Sequence, residues 1–129
     1  MLKLTRSVIF IGNMVSIFKL HYFIMLAGIW SLGNGLLHDI FVLLERKPFD
    51  KDLIRLLIDG HILIFSGIVY LLCYTGIREQ QLLAYYVAIA MAIFLLGYCA
   101  LIFKMLPSFV TIGINLVALV WLALTLPSK

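Results

Sequence analysis

Four long apolar runs limit what this chain can become. They cover about 22–44, 53–74, 82–103 and 107–126, and each is close to the roughly 20 residues that a helix needs to cross a hydrocarbon layer. Water is absent from such a layer, so backbone N–H and C=O groups must be satisfied inside each segment, which makes the runs helices. The segments between them, ERKPFDKD, TGIREQQ and KMLPS, are short. Short connections force sequential helices to lie antiparallel. The expected fold is all-α: an integral membrane protein, an antiparallel four-transmembrane-helix bundle in a single domain over residues 1–129.

Composition agrees. The chain is 64% hydrophobic and only 12% charged, against about 25% charged in a soluble domain. The mean hydropathy is +1.15. The net charge of +4 comes from basic residues scattered through turns and ends, where they meet lipid headgroups. No basic stripe interleaves with aromatics, which excludes nucleic acid as a partner. The expected partner is the lipid bilayer, with a homo-oligomer or a larger membrane complex as the setting of so small a chain. The expected location is a bacterial inner (cytoplasmic) membrane, multi-pass. Lys3, Arg6, Lys19, Arg78 and Lys129 fall on one side of the membrane, and Arg46, Lys47, Lys51, Arg55 and Lys104 on the other. That balance gives the positive-inside rule nothing to weigh, so orientation stays open.

Residues 2–18 stand apart. Thr5, Gly12, Asn13, Ser16 and Lys19 share one stripe, and the apolar remainder is too short to span. An amphipathic helix at the membrane surface is expected, the alternative being one long helix that projects past the bilayer. In the turns, Asp50 and Asp52 suit the N-cap of the second helix, Gly76 its C-cap, and Pro107 the first turn of the fourth. Pro48 ends the first. Cys73 and Cys99 fall near opposite faces, too far apart for a bridge.

Ionisable residues inside spans cost roughly 2.5–3.5 kcal/mol each on insertion scales, so their positions carry information. His38 and Asp39 lie about six residues before the end of the first span. Asp59 and His61 lie about six to eight residues into the second. Folding this hairpin at Pro48 brings both pairs roughly 10 Å below one face. Tyr98, Cys99, Thr111 and Asn115 fall on the same side, so one polar layer is expected across all four helices. Ser31, Asn34 and His38 share a helix face by their i, i+3, i+7 spacing, and Asp59, Ser66, Tyr70 and Cys73 share another. Asp59 and His61, two apart, diverge by about 200°, so both cannot aim at one point. Small residues Ala27, Gly35, Gly60, Gly67, Gly97 and Gly113 let helices approach closely.

The candidate binding or proton-handling residues are therefore His38, Asp39, Asp59 and His61, supported by Asn34, Tyr98 and Asn115. Three functions are open. A metal ion, haem or small polar ligand could sit among His38, His61 and Asp59, because imidazole and carboxylate are suitable donors; which cofactor, if any, is undetermined. A His beside an Asp could instead shuttle protons, in a transporter or a lipid-modifying enzyme. Or the layer could only fix helix packing in a non-catalytic subunit or scaffold. Structural roles compete at each residue: an Arg55–Asp59 pair, a His38–Asn34 hydrogen bond, and headgroup contact for His61 and His21. The other tyrosines and both tryptophans are expected as interface anchors or packing. No catalytic triad, nucleophile motif or metal-ligand spacing is present, and no motif identifies a family.

Overall fold

The computed structural model describes residues 2–45, 49–104 and 108–127, with side chains from Lys19 onward. The Pro48 and Pro107 turns, Arg46, Lys47 and the side chains of the 2–18 stripe lie outside the described residues. The described residues form four helices: α1 Leu2–Leu44, α2 Lys51–Arg78, α3 Leu82–Ile102 and α4 Phe109–Leu124. α1 packs mainly on α2, α2 also on α3, α3 on α4, and α4 returns to α1. This is the up-down bundle that short turns dictate. Lys19–Leu44, α2 and α3 are long and apolar enough to cross a membrane, whereas α4 has 16 residues, about 24 Å.

Residues 2–18 are helical, as expected, but no break sets them off. Leu2–Leu44 is one helix of 43 residues, about 65 Å long. α2 starts where Asp50 accepts a hydrogen bond from the Leu53 backbone N–H at 2.9 Å. It does not stop at Gly76. It continues to Arg78, Glu79 takes the C-cap, and Gln80 turns the chain at φ 57°. Gly76 has a packing role instead: a Cβ there would lie 2.5 Å from the Cβ of Ala84 on α3.

The bundle is held by narrow seams and has an apolar exterior. On α3, Tyr85, Ala88, Ala92, Leu95 and Cys99 are buried, and on α4 Thr111, Asn115, Ala118 and Leu122. Their spacing of three and four is one face of each helix. Leu26, Phe41, Phe65, Leu72, Leu83, Leu101 and Leu124 stay exposed among many others. The core mixes small residues with large ones, Tyr70, Tyr85, Leu95 and Leu122 among them, and large apolar residues also cover the rim.

The tightest seam joins α1 and α2. A Cβ at Gly67 would lie 2.5 Å from the Leu32 backbone nitrogen and 2.7 Å from the Gly28 carbonyl oxygen. A Cβ at Gly35 would lie 2.6 Å from the Gly60 carbonyl oxygen. Gly28 therefore crosses Gly67, and Gly35 crosses Gly60, with the same seven-residue interval on both helices. Gly97 and Gly113 have open space around them and take no part in helix approach.

Candidate functional site

The glycine seam places the first polar group. One turn beyond Gly35, the Asp39 carboxylate lies in the notch that Gly60 leaves; a Cβ at Gly60 would meet its Oδ1 and stand 2.6 Å from its Cγ. The Asp39 side chain is only 12% exposed, and it stands between two imidazoles. Its Oδ2 is 3.0 Å from His61 Nδ1, and its Oδ1 is 3.7 Å from His38 Nδ1. Asp39 Oδ1 and His38 Nδ1 are both buried and hydrogen-bond to nothing, so His38 does not bond Asn34 through that nitrogen. Asn34 is half-buried.

His61 has a defined tautomer. Its Nδ1 is 2.7 Å from the backbone carbonyl of Leu57, one turn earlier. A carbonyl can only accept, so Nδ1 carries the hydrogen and donates it. In the neutral ring Nε2 is then the acceptor, on a side chain that is 70% exposed. The ring meets Asp39 through Nδ1 and also lines an outward groove of about 510 Å³ between α2 and α3.

Asp59 takes no part in this cluster. It points the other way around α2 and accepts a hydrogen bond from the Tyr98 hydroxyl of α3. The divergence read from the two-residue spacing is therefore real, but its result differs from the expected grouping. The carboxylate that meets an imidazole is Asp39, with His61, while Asp59 secures α2 to α3.

The expected single layer is two polar groups. Asn115 accepts a hydrogen bond from Tyr70 at 2.5 Å and donates one to the Thr111 carbonyl at 2.8 Å. Thr111 Oγ1 accepts from Ser108 at 2.7 Å and from the Trp30 indole at 3.5 Å. Tyr70 lies eleven residues beyond Asp59 on α2, roughly 16 Å farther along the bundle. α4 begins deep, so its early residues meet the middle of α1 and α2. Residue counting from the ends of the apolar runs assumed equal starting depths, and α4 breaks that assumption. Of the two roles expected for the tyrosines, Tyr70 and Tyr85 take packing, being fully buried. The signal for Tyr70 was present in its shared face with Ser66 and Cys73. At the opposite end, His21 is buried against the rings of Tyr22 and Tyr74, not extended toward headgroups.

Among the described residues, no three His, Cys, Asp or Glu side chains are grouped closely enough to hold a metal ion. His38, His61 and Asp59 thus gain no support as a metal or haem site. Cys73 and Cys99 are buried free thiols. No protein-family model, curated protein or solved structure matches the chain.

Proposed function

We propose that this is a small multi-pass membrane protein that exchanges protons at a His38–Asp39–His61 site near one membrane face. One observation carries the reading: a single buried carboxylate faces one imzidazole nitrogen with each oxygen, at 3.0 and 3.7 Å. Imidazole is the side chain suited to take up and release protons near neutral pH, and a carboxylate on one ring nitrogen holds the other ready to do so. The exposed His61 exchanges with the surroundings, and the mostly buried His38 faces the other carboxylate oxygen. The membrane setting rests on the three long apolar helices and the apolar exterior.

The test is infrared difference spectroscopy on the protein in lipid nanodiscs after a pH step. Wild type is expected to show carboxyl and imidazole bands together, and Asp39→Asn to lose the carboxyl band and alter the imidazole bands. Persistence of both bands in Asp39→Asn would sink the idea.

A second reading has its own support, because the Asp39 carboxylate fills the Gly60 notch. In that reading the pair is a clasp that sets helix register. Asp39→Asn would then leave proton exchange unchanged and lower only thermal stability.

A further inference from the structure

The bundle end opposite the His38–Asp39–His61 cluster is basic and aromatic. The α1–α2 register sets Gly28 against Gly67. Continued outward by seven residues, it sets His21 beside Tyr74, and their rings are 5.4 Å apart. Tyr22 packs on the buried His21 at 4.2 Å and reaches Tyr74 at 6.4 Å, so three rings close this end of the seam. Lys19 lies three residues before Tyr22, and Arg78 four residues after Tyr74. At those intervals Lys19 shares a helix face with Tyr22, and Arg78 with Tyr74. The contact between the tyrosines therefore brings two exposed basic residues to one place, a turn farther out.

Depth and charge give these cations a partner. α2 is 28 residues long, about 42 Å, so it exceeds a centred hydrocarbon layer of about 30 Å by roughly 6 Å at each end. Tyr74 then stands at the boundary and Arg78 roughly 6 Å outside it. Lys19, level with Gly76 in the register, stands roughly 3 Å outside. Both lie in the zone of lipid headgroups. Of the six acidic residues in the sequence, Glu79 alone belongs to this end, whereas Asp39, Glu45, Asp50, Asp52 and Asp59 belong to the other. The basic residues divide evenly, so the whole net charge of +4 falls at this end. Glu79 is engaged by the Gln81 amide, which donates to it at 2.7 Å. Among the described residues, neither Lys19 nor Arg78 forms an ion pair.

We infer that Lys19 and Arg78 hold the phosphate of an anionic phospholipid at this end of the α1–α2 seam, with Tyr22 and Tyr74 at the level where its headgroup meets its chains. A zwitterionic lipid brings a cation of its own, which the two basic residues repel. An anionic lipid brings none. This site is separate from the His38–Asp39–His61 cluster and independent of its role.

The test places the full chain in phosphatidylcholine vesicles with a trace of nitroxide-labelled lipid, and electron paramagnetic resonance reads the fraction of label that the protein holds. Labelled phosphatidylglycerol is expected to associate about fivefold more strongly than labelled phosphatidylcholine, the worth of one basic residue at a lipid surface. Lys19→Gln combined with Arg78→Gln is expected to abolish that preference. Both positions are exposed, so helicity by circular dichroism is expected to stay as in wild type. Lys51→Gln combined with Lys104→Gln removes the same charge from the opposite end and is expected to keep the preference.

Equal association of the two lipids with the wild-type protein overturns the inference. Equal loss in the two double variants also overturns it, because the preference then follows net charge and not a site. Inorganic phosphate, compared with sodium chloride at matched ionic strength, is expected to leave the labelled phosphatidylglycerol in place. Its displacement would overturn the lipid assignment and give the site to a soluble phosphate.

Discussion

At the scale of single residues, the hydrogen-bonding needs of buried polar atoms decide what each can do. Asp39 meets His61 with one oxygen and hydrogen-bonds to nothing with the other, while Asp59 is satisfied by Tyr98 and Asn115 by Tyr70. Tyr70→Phe removes the donor to Asn115 and is expected to cost about 0.6 kcal/mol, up to about 1.7, the range measured for hydrogen bonds between membrane helices. Unfolding in mixed detergent micelles reads this directly. In ¹⁵N spectra the neutral His61 ring is expected to carry its hydrogen on Nδ1, and a ring protonated on Nε2 would contradict the Leu57 contact. The types of these residues were legible in the sequence, but their partners were not. Helical spacing showed that Asp59 and His61 diverge; it could not show which neighbouring helix each would meet.

Among the helices, the glycines divide into two kinds. Gly28, Gly35, Gly60 and Gly67 are points of contact between α1 and α2, whereas Gly97 and Gly113 touch nothing. Gly67→Ala drives a methyl group into the Leu32 backbone, which cannot yield as a side chain would, so a loss of about 1–3 kcal/mol is expected. Gly97→Ala and Gly113→Ala are expected to stay within about 0.5 kcal/mol of wild type. The same detergent unfolding measures all three. Small-residue content pointed to close approach, and it marked Gly35, Gly60 and Gly67 correctly. It also marked Gly97 and Gly113, because composition gives a helix's capacity for contact and not the side on which a neighbour lies. Gly28 went unnoticed in the sequence and emerges only from the antiparallel register.

For the whole molecule, hydrophobicity and turn length sufficed for an all-helical bundle of four. They did not reveal that α4 is short and begins deep, because the apolar run extends past both helix ends. A cysteine scan tests how the bundle crosses a bilayer. With every helix crossing, single cysteines at Glu79 and Thr125 are expected to label from one side of sealed vesicles and one at Asp50 from the other. The scan would use a background in which Cys73 and Cys99 are replaced by alanine. Labelling of Thr125 from the Asp50 side would mean that α4 does not cross.

The seven-residue interval in the α1–α2 seam has a consequence for assembly. With α2 slid by one interval, Gly35 would meet Gly67 and Asp39 would again find a notch, at Gly67 instead of Gly60, but Gly28 would face Tyr74 and Gly60 would face Val42. In that misaligned hairpin the position of His61 is taken by Ile68, and of its two imidazoles the carboxylate keeps only His38. One glycine pair and one imidazole are lost together, so the glycines and the Asp39–His61 contact select the same alignment of the hairpin.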